Sequence, residues 1–454
     1  MIIHLLPRIQ SNIYKNIQIN MQVSETAIPP TEWDSKNPKI VSSIQDAPLG
    51  HHIYVSGTPE YESTIRKISS IETNNSEEAV ISNSLAIFLN DIKKQISVYE
   101  NEWDIYKKYT NPYEFINTNI PNKKKCVSKY KPISRAYFKM VELIHTFNLG
   151  IDSPNPICSF HLAEGPGGFI EAVAKSRMCT KDYYTGMTLL DTDENQTVPG
   201  WKKTDSFFNE FRNVNIENGK DGTGNILSFN NFIYINEMYG SSMDLITADG
   251  GFDFSDDYAN QELNMIPLLY GQIIYALCMQ KQGGSFVLKV FDIFMQQTID
   301  MMALLSSMYQ QVYITKPNTS RYANSEKYIV CKDFIPSSSL HFYPYLYNSF
   351  HNLCININNK QMTVKSIFTP NTISCFFTSK LEEYNIIFGQ QQIENIHSTL
   401  NLLLSEKYGE RVNNKQLGHH KPDIHSIINK IVKINIQKCV QWCIKHKVAY
   451  NNDV

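Results

Sequence analysis

Three short apolar runs in this chain stop abruptly on glycine or on a single charge. One runs ICSFHLA into EGPGG at 164–168, a second runs MDLITA into DGG at 249–251, and a third, SFVL, reaches Lys289 before VFD. Runs of four to seven mainly apolar residues bounded by turn signals suit buried strands better than helices. Strands covered on both faces read as continuous apolar stretches and belong to parallel sheets. Segments of helical period separate them, so the chain is constrained to an α/β fold with a mostly parallel sheet and helices on both faces. In such sheets ligands bind beyond the carboxyl ends of the strands. Glu164, Asp249 and Lys289 stand at or near those ends.

The alternation extends along the middle of the chain. Helices are expected over 134–147, from 169, over 260–280 and over 301–309. Strands are expected over 157–163, 183–189, 243–248, 285–290, 311–315 and 327–331. Three regions follow: an N-terminal extension over 1–110, mixed and then helical; a central domain over 111–340; and a C-terminal extension over 341–454. The last ends in a helix near 423–447 that starts after Pro422. Between 76 and 109, Leu85, Phe88, Leu89, Ile92, Ile96, Tyr99, Trp103 and Tyr106 recur at helical steps. That stripe either packs on the central domain or offers a face to a partner.

Net charge is −2 over 454 residues, so any polyanion must be met by local basic patches. The nine cysteines lack the paired spacing of a zinc site, and reduced, buried thiols are expected. No metal site is expected. The first ten residues make a poor signal peptide, and no run reaches 18 apolar residues, so no membrane association is expected and the protein reads as soluble and intracellular.

The glycine turn at Gly165, Gly167 and Gly168 lets the backbone bend sharply and approach a ligand, with the following helix N-terminus available to an anion. Its spacing is neither the dinucleotide fingerprint nor a phosphate loop; a tight turn without a ligand remains the alternative. In KDGTGNI, Asn225 can bond an adenine edge and Ile226 can lie on its face, although a plain turn also explains DGTGN. Lys289 is unusual because lysine is rarely buried without a partner. It either snorkels at a sheet edge or faces carboxylates. Asp249 and Glu326 would be those carboxylates, and Lys139 the second amine.

Five motifs carry a family resemblance: SRAYFK (134–139), HLAEGPGGF (161–169), ADGGF (248–252), GGSFVLKVFD (283–292) and KPNTSRYANSEKYIVC (316–331). Together they resemble the FtsJ/RrmJ-type 2′-O-ribose methyltransferases, and most closely the branch that modifies messenger RNA caps. The resemblance covers about 130–334. It implies a Rossmann-like S-adenosylmethionine-dependent methyltransferase fold with a seven-stranded sheet. It also implies the cofactor S-adenosylmethionine and a catalytic tetrad of Lys139, Asp249, Lys289 and Glu326. The cofactor would be held by Glu164, Gly165, Pro166, Gly167, Gly168, Phe169, Asn225, Ile226 and Asp249. Two departures stand out: many members carry aspartate where His161 stands, and an acidic residue where Asn225 stands. The resemblance further suggests a large cytoplasmic DNA virus, with host cytoplasm and virion as locations.

The expected substrate is capped mRNA or another RNA, with other capping or transcription proteins as further partners. Ser134, Arg135, Trp201, Lys203 and Arg321 are the expected substrate contacts, Arg321 for a phosphate and Trp201 for stacking on a cationic methylguanine. A packed loop tryptophan is the other reading of Trp201. Lys123, Lys124, Lys125, Lys129 and Lys131 either follow phosphates or form a solvated basic loop. Three functions remain open: a cap 2′-O-methyltransferase, the same chemistry on ribosomal or transfer RNA, and a non-catalytic RNA-binding or assembly protein.

Overall fold

The computed structural model describes residues 52–56, 80–150, 152–191, 200–202, 204–251, 260–358, 373–412 and 424–453. All lie in one compact unit, Val41–Val454. Expectations for Lys203, Phe252, Pro422 and most of the N-terminal extension fall outside these residues.

Among the described residues, eight strands form one sheet in the order β1-β7-β8-β6-β5-β2-β3-β4. Their ranges are β1 His52–Ser56, β2 Cys158–Leu162, β3 Tyr183–Met187, β4 Val214–Glu217, β5 Met243–Ala248, β6 Gln280–Val290, β7 Tyr309–Thr315 and β8 Lys327–Phe334. Strands β4, β3, β2, β5 and β6 are parallel, while β8 runs against β6, β7 against β8, and β1 against β7. The sheet is therefore mixed. The antiparallel end arises because residues 316–326 return the chain directly from β7 to β8 without a crossover helix. Strand order reverses between β2 and β5, and that switch point opens the crevice where ligands bind in such sheets.

Helices cover the sheet: α1 Asn83–Ser97, α2 Glu100–Thr110, α3 Ala136–Phe147, α4 Gly168–Arg177, α5 Asp205–Glu210, α6 Phe229–Tyr239, α7 Gln261–Met279 and α8 Gln296–Met308. Three more follow: α9 Tyr343–Asn358, α10 Cys375–Val412 and α11 Ile424–Lys445. One core lies between the sheet and α7, α8 and α9, with Phe160, Ile246, Ile273, Phe286 and Phe350 fully buried. The other lies on the α3–α4 face, with Phe138, Met140, Phe169, Val287 and Tyr328. Each such side chain contributes about 1.5–3 kcal/mol of burial. Helix α7 is long and apolar enough to cross a membrane by composition, yet 89% of its apolar window is buried inside the fold.

The expected helix over 76–109 is two helices broken at Val98 and Tyr99. Its apolar stripe packs inward. Ile92 and Trp103 meet Ile396 and Leu400 of α10, and Lys93 reaches Asp292 at 3.0 Å, just after β6. All nine cysteines are free, and only Cys375 is exposed.

Candidate active site

Two motifs far apart in sequence pack on each other to start the site. A Cβ on Gly168 would stand 2.2 Å from Ser134 Oγ and 3.0 Å from the Ala136 Cβ. Only glycine lets α4 approach the SRA turn that begins α3. Ser134 is thus a packing residue of this seam, with a buried hydroxyl that finds no partner among the described residues. The close approach sets the height of α3, and with it Lys139 one turn further on.

Lys139 Nζ lies 2.7 Å from Glu326 Oε1. Lys289, on β6, donates to the Asp249 carbonyl oxygen at 2.6 Å and lies 3.4 Å from Asp249 Oδ1. The two ion pairs are tied by a residue the sequence reading passed over. The Tyr328 hydroxyl donates to Asp249 Oδ1 at 2.9 Å and stands 3.2 Å from Glu326 Oε1. All four predicted polar residues therefore converge, each 12–16% exposed at its side chain. Burial pushes Glu326 up, but the Lys139 and Lys289 ammoniums and the Lys139 hydrogen bond outweigh it and hold the carboxyl at about 2. Two ammoniums facing two carboxylates leave the cluster near neutrality, which makes its burial affordable.

The 316–326 segment that delivers Glu326 is anchored from below. Lys316, buried, donates to the Asn324 carbonyl, the Asn324 side chain and the Glu326 carbonyl at 2.7, 2.9 and 2.8 Å. Burial, with help from Lys327 and Lys139, lowers Lys316 to about 7 against the pull of Glu326. Glu142 on α3 accepts from the Asn318 and Thr319 amides at 2.8 and 3.2 Å and from Trp442 Nε1 at 3.0 Å. Lys316 and Tyr328 lie within the 316–331 motif without a role assigned to them there, Glu142 lies outside every motif, and only their contacts with the segment carrying Glu326 mark them.

The glycine turn differs from expectation at the helix N-terminus. The Phe169 and Ile170 amides are not open to a ligand: Glu164 Oε1 accepts both, at 2.7 and 2.9 Å. Phe169 itself is fully buried against Tyr328, ring centroids 5.7 Å apart. Glu164 Oε2 is buried with no partner among the described residues. Burial, helped by nearby Asp249, raises this carboxyl to about 8 despite the two amides. The turn is tight because Gly165 leaves no room: a Cβ there would stand 2.7 Å from the Gly200 carbonyl oxygen. His161 is wholly buried between Ser159 and Thr247 on the strands, at 2.9 and 2.8 Å, and burial lowers it to about 3, so it is a neutral core residue.

Beyond the carboxyl end of β3 a cleft of about 670 Å³ is lined by Asp191, Thr223, Asn225, Leu227 and Ser228 among others. Asp221 shapes its wall by accepting from Thr223, Ser228 and Asn231 at 2.7–2.9 Å. Asn225 lines the cleft, with its side-chain oxygen accepting from the Leu227 amide at 2.9 Å. Ile226 does not: its side chain is buried in the main core, and Leu227 takes the place expected of it. The chain turns here, the Ser228 amide donating to the Asn225 carbonyl oxygen at 3.2 Å.

The expected substrate contacts are placed differently. Arg135 and Arg321 both bind the fully buried Glu114, at 2.8 Å and at 2.8 and 3.1 Å. Arg321 is therefore no free phosphate ligand; the trio keeps one net positive charge beside the tetrad. Burial opposes ionisation of Glu114, and the two guanidiniums hold it far below the usual carboxylate range. Trp201 packs inward: a Cβ on Gly186 would stand 2.5 Å from its ring, and Phe208 meets it edge-on at 5.9 Å. The packed-loop reading of this tryptophan describes it. Lys202 pairs with Asp191 at 3.2 Å.

Residues 132–334 match the FtsJ-like methyltransferase family model. The chain is 28% identical over 362 residues to the cap-specific mRNA (nucleoside-2′-O-)-methyltransferase 2 of Danio rerio, covering 74% of this chain and 45% of that one. It is 31% identical over 227 residues to the Danio rerio cap-specific mRNA (nucleoside-2′-O-)-methyltransferase 1, covering 45% and 27%. The chain thus spans less than half the length of these two curated relatives. A solved structure described as a ribosomal RNA methyltransferase from Plasmodium falciparum is similar over 44% of this chain and 98% of its own, at 22% identity and a TM-score of 0.32.

Proposed function

We propose that this chain, whose residues 132–334 match the FtsJ-like methyltransferase family model, methylates the ribose 2′-hydroxyl of a cap-proximal nucleotide in mRNA. The observation that carries this reading is the meeting of Lys139, Asp249, Lys289 and Glu326 from four separate elements around Tyr328. The two cap-specific relatives support the choice of substrate.

S-adenosylmethionine, when bound, supplies a methyl group on a positively charged sulfur, already activated for transfer. The residues present suit it. Asp249 offers a carboxylate and Glu164 an unpartnered carboxyl oxygen to a cationic ligand, Gly165 and its neighbours offer a close backbone, and Asp191 and Asn225 offer polar groups to a sugar and a base. Lys289 orients the 2′-hydroxyl and, in its neutral form, takes its proton as the oxygen–methyl bond forms. Asp249 holds Lys289 from its carbonyl and carboxylate oxygens. Glu326 holds Lys139, which places a positive charge where the alkoxide character develops. Arg135 and Arg321, kept rigid on Glu114, add positive potential for the phosphate chain.

The test is transfer of labelled methyl from S-adenosylmethionine to short RNAs with and without a methylated cap, followed by mapping of the modified nucleotide. Capped RNA should be the preferred acceptor. Lys289→Ala should retain cofactor binding and lose about 10²–10⁴-fold in turnover. Full activity of that variant would overturn the tetrad, and equal methylation of uncapped RNA would overturn the cap assignment.

A further inference from the structure

Two stretches of this chain contain lysines and no acidic residue at all. From 115 to 141 there are six lysines and Arg135, with no aspartate or glutamate; from 424 to 452 there are five lysines and again none. The whole chain nevertheless carries a net charge of −2, so basic residues are segregated here rather than merely abundant. More than 280 residues of sequence separate the two stretches. The fold brings them edge to edge. Ser128 and Tyr450 form an antiparallel bridge, the Lys129 amide donates to the Ala449 carbonyl at 2.9 Å, and the Asn451 amide donates to the Val127 carbonyl at 2.9 Å.

Helix α11 turns its apolar side, Val432, Cys439, Trp442 and Cys443, into the core. Its opposite side leaves Lys430, Lys433 and Lys445 exposed, and Lys447 follows, exposed, two residues before the Ala449 carbonyl that holds Lys129. Lys124, Lys129 and Lys131 are exposed on the adjoining segment. Lys125 is paired with Asp453. That segment continues through Arg135 into α3 and ends at Lys139 in the tetrad. A helix of this length spans about 33 Å, so the basic surface is several phosphates long, and its 123–131 segment leads along the chain to Lys139.

We infer that α11 and the 123–131 segment form one docking surface for the phosphate backbone of single-stranded RNA leading away from the methylated nucleotide. The inference rests on the proposed RNA substrate. Continuity with Lys139 favours RNA over other polyanions, because a strand held on this surface is led into the cleft where its ribose reacts. Backbone contacts of this kind are independent of sequence and weaken with salt.

The experiment uses the full chain and the variant Lys430→Gln/Lys433→Gln/Lys445→Gln, which touches no residue of the reactive cluster. Binding of an uncapped 20-nucleotide RNA is followed by fluorescence anisotropy from 50 to 200 mM salt. Methyl transfer to a capped tetranucleotide, too short to follow the surface, is measured in parallel. The variant should bind the 20-mer about tenfold more weakly at low salt, with a salt slope shallower by about 2, since each lost contact removes about 0.7. Its turnover of the tetranucleotide should be unchanged. Unaltered affinity and slope would overturn the inference, as would tight binding of the parent to phosphatidylserine vesicles with none to RNA. Absence of methyl transfer by the parent would instead count against the proposed function, leaving the binding result to be read separately.

Discussion

Glu164 and Glu326 are both buried carboxylates near the same strand ends, and their environments drive them in opposite directions. Burial raises both, but Glu326 has the Lys139 ammonium at 2.7 Å, whereas Glu164 has two backbone amides on one oxygen and no hydrogen-bond partner on the other among the described residues. Glu326 therefore falls to about 2, and the stability it contributes is present above its ordinary value of 4.5 and lost as pH drops through about 2. Glu164 rises to about 8, so the sign reverses: its contribution is full below 4.5 and is lost as pH rises through about 8. A Glu164→Gln variant stays neutral throughout. Its melting temperature relative to the parent should climb between pH 5 and 8 and level off above, as thermal melts across that range will read. A flat difference would show that Glu164 ionises normally in the fold. Both glutamates could be picked from motifs, but the direction of each shift could not, because it depends on burial and on charges distant in the chain, Lys139 and Lys289 for Glu326 and Asp249 for Glu164.

At the scale of elements, strands with continuous apolar runs were legible: β5 begins and ends where the sequence placed it, and β2 and β3 within a residue or two. The edge strand β4 was not read, because it is only partly buried and carries no apolar run to mark it. Helix α10, 38 residues long, was also missed. Its Tyr384 and Phe388 face the main core while Ile396 and Leu400 face α1 and α2, so its apolar residues keep no single face. Helix α11 was foreseen, but not its task. Its Trp442 reaches Glu142, which grips the segment carrying Glu326. Trp442→Phe keeps an aromatic ring against Phe138, now 5.9 Å away, and deletes the N–H donor together with part of the buried ring. Stability should fall by about 1–3 kcal/mol, and turnover several-fold, with cofactor affinity unchanged. Denaturant titration with steady-state kinetics checks this, and unchanged turnover would remove α11 from the positioning of Glu326.

For the whole molecule, the family match over 132–334 does not bound a self-sufficient unit. Phe115 and Ile116 are buried in a cluster that also holds Val432, Cys439 and Cys443 of α11, and the Cys126–Ser128 stretch is paired with residues 450 and 451. Residues 111–340 produced alone should therefore show no cooperative melt, while the full chain does; circular dichroism of the two will decide. Sequence by itself determined the α/β class and the central strands, since apolar runs are local signals; Asp249 and Lys289 stood out as polar groups at strand ends, while Lys139 and Glu326 were marked by the family resemblance. Only the tertiary structure decided that β8 returns antiparallel, that Tyr328 links the two ion pairs, and that Arg135 and Arg321 share Glu114. Those outcomes depend on which surfaces meet across hundreds of residues, and burial and charge pairing are set by such meetings rather than by any neighbour in the chain.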